Sequence, residues 1–107
     1  MLKEFDKAIE DYNETLRMDD NYALAYYNRA ISLTAVGKKE EAIRDYTSTL
    51  KLDSTIGIAY LSRGLLYYDM GRHQAALDDY NQVIMMSPDY PFPYNNRGVA
   101  YSDTKEH

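Results

Sequence analysis

AYYNRAISLTAVGKKEEAIRDYTSTLKLD, residues 25–53, is the stretch on which the fold turns, because the chain restates it 34 residues later. Ala25, Tyr26, Arg29, Gly37, Ala42, Asp45 and Tyr46 return as Ala59, Tyr60, Arg63, Gly71, Ala76, Asp79 and Tyr80. Ala8, Asp11 and Tyr12 stand one period before Ala42, Asp45 and Tyr46, and Tyr94, Arg97 and Gly98 stand one period after Tyr60, Arg63 and Gly64. A fixed period of this length marks an array of stacked supersecondary units, each unable to bury its apolar face alone.

Each period holds two helical rhythms separated by a glycine. Phe5, Ala8, Ile9, Tyr12, Leu16 and Met18 recur at three- and four-residue steps, one face of an amphipathic helix that Asp19, Asp20 and Asn21 break. A second helix from near Asn21 stops at Gly37, since glycine takes a left-handed C-cap without penalty. Residues 40–52 repeat the first helix, and Asp53, Ser54 and Thr55 are expected to cap the next. The fourth helix runs from Gly57 to Gly71 and the fifth from Ala75 to Met86. Pro91 and Pro93 suit the first turn of a sixth, Tyr94 to Asp103, because first-turn amides lack intrahelical partners. The tail TKEH has nothing to bury and is expected to fray.

Composition narrows the function classes. A net charge of -5 opposes a phosphate backbone, so nucleic acid is not an expected partner. Without cysteine there is no disulfide framework, thiolate metal site or thiol nucleophile, which fits a reducing cytoplasm. No apolar run approaches the roughly 20 residues that span a bilayer, and MLKEFDKAIEDY has no signal-peptide core, so no membrane is expected. Twelve tyrosines against two phenylalanines and no tryptophan point to half-exposed aromatic packing between helices.

Tyr26, Arg29, Ala30, Leu33, Gly37, Ala42, Ile43, Tyr46 and Leu50, matched again by Ser62, Arg63, Gly64, Tyr67, Gly71, Ala76, Tyr80 and the later Pro88, resemble the tetratricopeptide repeat (TPR). The resemblance covers essentially the whole chain. It implies an all-α fold, a right-handed solenoid of antiparallel helix pairs with six helices in one domain over 1–107. Residues 1–22 then form the second helix of a partial repeat, 23–56 and 57–90 full repeats, and 91–107 the first helix of another partial repeat. With neither end capped, a piece of a longer array is expected. The chain departs from the family at Asp20 and Ser54, where proline is usual, and at Lys39 and His73, where an aromatic is usual. Softer turns between repeats are expected there.

Small residues at Ala30, Gly64 and Gly98 on first helices, and at Ala8, Ala42 and Ala76 on second helices, are expected to allow close helix approach. Arg29, Arg63 and Arg97 lie eighteen residues after Asp11, Asp45 and Asp79, which predicts a ladder of ion pairs between successive repeats. Such pairs would contribute about 0–1 kcal/mol each when partly exposed.

Catalytic constellations do not assemble. His73 and His107 are the only histidines, so neither a metal triad nor a Ser-His-Asp arrangement is expected. Asp19, Asp20 and Asn21 lack the glycine and closing glutamate of a calcium loop, and Gly37-Lys38 lacks the rest of a phosphate loop. Asp78 and Asp79, like Glu40 and Glu41, are adjacent helical residues about 100 degrees apart and suit no acid–base pair. No cofactor, metal or catalytic residue is expected.

In a helix-pair solenoid the first helices line the concave face. Positions unused by the packing set make a predicted peptide-binding groove of Leu24, Tyr27, Ile31, Ile58, Leu61, Leu65, Tyr68, Asn95 and Val99, with an acidic flank. Some family members hold the C-terminal carboxylate of chaperone tails with Lys, Asn and Arg side chains. The matching positions here are Tyr27, Ile31, Ser62, Phe92 and Asn96, so that clamp is missing.

The leading expectation is a non-catalytic protein–protein interaction scaffold, binding a peptide or helix with apolar side chains. The alternatives are a structural spacer or self-associating module stacking end to end, and a regulatory or docking region of a larger multidomain enzyme. The sixth helix of one molecule could dock on the first helix of another, head to tail or by helix exchange, because each is half of a repeat.

Overall fold

The computed structural model describes residues 2–104, in six helices: α1 (Leu2–Met18), α2 (Ala23–Ala35), α3 (Lys39–Leu52), α4 (Gly57–Asp69), α5 (His73–Met86) and α6 (Pro91–Thr104). There is no strand among the described residues, and His107, one of the two histidines, lies outside them. Gly37 and Gly71 end α2 and α4 with φ of 86° and 79°. Each closes the same pair of bonds. Lys38 N–H donates to the Leu33 carbonyl at 2.8 Å and Gly37 N–H to Thr34 at 3.0 Å, and Arg72 and Gly71 donate likewise to Tyr67 and Tyr68. This is the Schellman arrangement, which satisfies the orphan carbonyls of a helix end and requires left-handed backbone at the glycine.

Beyond these turns α3 and α5 start one and two residues before the predicted positions, without any side-chain cap from Lys38 or Arg72. α6 starts at Pro91, with Pro93 buried in its first turn, so both prolines fall where no amide is needed. The expected cap from Asp53 takes another form. Its Oδ1 accepts from the Thr55 amide at 3.0 Å and the Thr55 hydroxyl at 2.5 Å, closing a local turn, and Asp19 does the same for the Asn21 amide at 3.1 Å.

Packing divides the chain into two compact units, Met1–Ile56 and Gly57–His107. In the first, α2 packs against α1 and α3. Leu16, Ala30, Leu33, Ala42, Ile43, Tyr46 and Leu50 are buried there. In the second, α5 packs against α4 and α6 over a core of Leu61, Ala76, Leu77, Tyr80, Val83 and Ala100. Ala30, Ala42, Ala59, Ala76 and Ala100 expose nothing, so a larger side chain at these sites has no room.

Gly64 and Gly98 occupy the same repeat position in different surroundings. A Cβ on Gly64 would come within 2.8 Å of Tyr80 Cε1 and 3.1 Å of Asp79 Cβ, whereas one on Gly98 would meet nothing within 4 Å. Close approach thus holds at Gly64 and not at Gly98. Gly64→Ala is expected to cost the second unit about 1–2 kcal/mol, overpacking against a buried ring outweighing the gain in helix propensity. Gly98→Ala is expected to stabilise by about 0.5–1 kcal/mol. Urea unfolding followed by circular dichroism separates the two signs.

The arginine ladder is present with different partners from those predicted. Arg29 grips Asp45 through Nε and Nη2 at 2.7 and 2.8 Å, and Arg63 grips Asp79 at 2.9 and 2.7 Å. These pairs lie inside a repeat, sixteen residues forward instead of eighteen back. The reason is geometric: Arg29 and Asp45 stand eight residues on either side of Gly37, as Arg63 and Asp79 do of Gly71, and antiparallel helices bring equidistant positions face to face. Looking back along the chain, Arg29 Nη1 donates to Asn13 and Arg97 Nη1 to Asn81, both at 2.8 Å. Each of the three guanidiniums also covers a tyrosine ring three residues earlier, at 5.6, 5.8 and 5.5 Å from Tyr26, Tyr60 and Tyr94. Tyr26, Tyr60 and Tyr94 are thereby placed at arginines, whereas Tyr46 and Tyr80 are buried in the core.

Candidate peptide-binding surface

Each first helix carries two exposed apolar side chains seven residues apart: Leu24 and Ile31 on α2, Ile58 and Leu65 on α4, Phe92 and Val99 on α6. Seven residues are about two turns, so each pair stands on one face of its helix. All six residues fall at the same two positions of the 34-residue period. Their exposure runs from 42% at Ile31 and Val99 to 61% at Phe92, well short of a packed core.

The predicted groove residues between these pairs behave differently. Leu61 is only 6% exposed and belongs to the core around Tyr80, so it is withdrawn from the groove. Three residues after Ile58, it is turned about 60° off the Ile58–Leu65 line toward α5. Tyr27, its counterpart one period earlier, is half-buried with its ring centroid 5.8 Å from that of Tyr46. Asn95, one period later, is exposed. Tyr68 is a strut: its hydroxyl donates to Asp103, tying α4 to α6, and its ring lies 5.3 Å from His73. The Asp103 carboxylate holds the Tyr68 phenol above its ordinary range.

At the N-terminal end of the second unit's exposed line, Gly57, Ile58, Leu61, Val83, Ser87 and Tyr90 surround an open recess of about 350 Å³. Phe92 packs edge-on against Tyr90 at 5.3 Å. In the first unit Tyr22, Ala23, Leu24, Asp53 and Ile56 help line a recess of about 540 Å³ at the corresponding place. Sequence reasoning missed these recesses. A signal exists, because Ile56 and Tyr90 are one period apart, just ahead of a first helix. Phe92 is absent from the predicted groove, although it repeats Leu24 and Ile58.

The surface therefore combines exposed apolar pairs with recesses beside them. Among the described residues no group of His, Cys, Asp and Glu could hold a metal ion, and no helix is long and apolar enough to cross a membrane. Antiparallel helix pairs reversed at glycine, with an apolar line on every first helix, define a helical-repeat interaction scaffold. Residues 2–46 match the Tetratricopeptide repeat family and residues 64–104 match the TPR repeat family. The chain belongs to the tetratricopeptide-repeat family, a non-catalytic protein-interaction fold.

Solved structures agree on the all-α helix-pair solenoid. The crystal structure of MamA is similar with a TM-score of 0.91 and 28% identity, over 94% of this chain and 59% of that one. The chain thus spans less than two thirds of that relative's length. The second TPR domain of human RPAP3, solved in complex with an HSP70 peptide, gives 0.83 at 27% identity over 90% and 80%. The Arabidopsis OM64 TPR domain gives 0.86 at 23% identity over 94% and 83%, a likeness of fold. No curated protein sequence matches.

Proposed function

We propose that the chain is a non-catalytic scaffold that binds a peptide or helix through apolar side chains set against the exposed pairs on its first helices. The observation that carries this is the repetition: three helices leave the same two positions apolar and half-exposed. A single exposed leucine needs no explanation, but a periodic set on the elements that solenoids use for binding does. The RPAP3 domain holding an HSP70 peptide supports a peptide as the ligand class. A chaperone-tail carboxylate fits poorly, because Tyr27, Ile31, Ser62, Phe92 and Asn96 offer no cation to it.

The second unit offers a self-contained version of the site, with Ile58 and Leu65 on α4 and Phe92 and Val99 on α6, two helices that touch. Peptides selected from a random library on the full chain are expected to bind a Leu65→Ser/Val99→Ser variant at least about tenfold more weakly, since two apolar anchors are lost. Equal affinity for both proteins, at matched helicity, would reject the surface. Leu61 is left intact in this test because its truncation would damage the core.

A second reading, end-to-end self-association, is favoured by further exposed aromatic side chains on α1 and α6, Phe5, Tyr94 and Tyr101.

A further inference from the structure

We propose that the recess at the start of α2 is a socket for a lysine or arginine side chain of the bound peptide, its aliphatic stem lying on Tyr22, Leu24 and Ile56 and its cationic head facing the carboxylates of Asp19 and Asp53. This rests on the peptide-binding reading and adds a charge requirement to it.

The recess, of about 540 Å³, combines the apolar surface of Tyr22, Ala23, Leu24 and Ile56 with two acids, Asp19 and Asp53, and no cation lines it. Each acid uses Oδ1 in its own turn, Asp19 on the Asn21 amide and Asp53 on the Thr55 amide and hydroxyl. Neither forms an ion pair among the described residues. The Thr55 hydroxyl and amide also hold the Asp53 carboxyl below its ordinary range, so it is ionised at neutral pH. Leu24 belongs both to the recess and to the exposed pair on α2, so a peptide lying on that pair brings a neighbouring side chain to the recess.

Building the turn does not explain the acid at position 53. One period later Ser87 N–H donates to Val83 as Asp53 N–H does to Thr49, both at 2.8 Å, and Tyr90 N–H donates to the Ser87 carbonyl as Ile56 N–H does to Asp53. A serine therefore serves the same turn, and the recess of the second unit has no charged residue in its lining. The carboxylate of Asp53 is left available to a ligand. Lysine and arginine match such a site in both parts, because their stems cover apolar surface while the head stays in water. The exposed Tyr22 ring favours a cation as well. The first turn of α2 opposes one, but a helix N-terminus carries only about half a positive charge, against two full negative ones. A metal ion does not compete, since no group of His, Cys, Asp and Glu among the described residues could hold one.

The test uses peptides selected from a random library on the full chain, with affinities from fluorescence anisotropy and circular dichroism on every variant. Selected peptides are expected to carry a lysine or arginine at a fixed spacing from an apolar residue. They are expected to bind Asp19→Asn/Asp53→Asn about three- to tenfold more weakly, the scale of two partly exposed ion pairs. Asparagine oxygens can keep both turn bonds, so the helices should be unchanged. Replacing the peptide's cation with norleucine is expected to weaken binding to wild type by the same factor and to that variant by much less. Asp6→Asn/Glu10→Gln, which removes two exposed charges from α1, is expected to leave affinity within about twofold, because distant exposed charges are screened. Peptides that bind without such a cation, that bind the recess variant as tightly as wild type, or that lose as much to the α1 variant overturn the socket and leave the apolar surface standing. A library that yields no binder overturns the peptide reading, and the socket with it.

Discussion

Tyr80→Ala is expected to unfold the Gly57–His107 unit or to cost it about 3–5 kcal/mol, the range for emptying a large aromatic site in a core. Tyr80 is 1% exposed, lies at the centre of the cluster with Leu61, Leu77, Val83 and Ala100, and fills the space that Gly64 leaves. No neighbour can follow the lost ring, because Ala76 and Ala100 are already fully enclosed and short. Against a typical total stability of about 5–15 kcal/mol for a whole domain, such a loss is decisive. Burial also pushes the Tyr80 phenol up to about 12. The folded state therefore keeps a proton that the unfolded chain releases near pH 10, and stability falls as pH rises from there toward 12. Tyr80→Phe is expected to retain the fold and to flatten that alkaline decline, as thermal melts between pH 9 and 12 would show.

Arg63→Leu is the second large effect, expected at about 2–4 kcal/mol at pH 7, because it leaves the buried Asp79 carboxylate without its counter-ion. In the intact protein burial pushes the Asp79 carboxyl up while the Arg63 guanidinium opposes that push. Removing Arg63 removes the opposition, so the folded-state value climbs further above the unfolded one of about 3.9. A group raised in this way binds more protons folded than unfolded, so the variant loses stability as pH rises above about 4 and regains it in acid. Urea midpoints at pH 4.5 and pH 7 should diverge for Arg63→Leu far more than for wild type. Adding Asp79→Asn should flatten the difference, and its persistence would show that the buried carboxylate is not the cause.

How far the chain could be read follows from what a period encodes. Helix number, order and turns were legible, because Gly37 and Gly71 punctuate a rhythm that three- and four-residue spacing carries unambiguously. The choice of partner for Arg29 and Arg63 was not. Asp11 and Asp45 both lie within reach along the sequence, and only the antiparallel reversal at glycine selects the nearer one. Leu61 was misplaced for a different reason. Its side chain is as apolar as that of Leu65, and a rotation of about 60° around the helix axis decides between core and surface. Tyr68 looked available because its bond to Asp103 joins helices whose contact no local pattern announces. The recesses beside Ile58 and Leu24 are voids shared by several elements, which residue spacing does not describe.

The equal spacing of Arg29 and Asp45 about Gly37, and of Arg63 and Asp79 about Gly71, also acts as a gauge on the turn. One residue inserted beside either glycine would rotate every downstream side chain by about 100° and withdraw the carboxylate from its guanidinium, together with the alanine set against the facing helix. Length changes between repeats leave each gauge intact, because both halves then travel together. The segment at Asp53–Ile56, outside both gauges and outside the α1–α2 packing that Arg29 ties to Asn13, is therefore where this chain can lengthen or shorten, and the glycine turns are where it cannot.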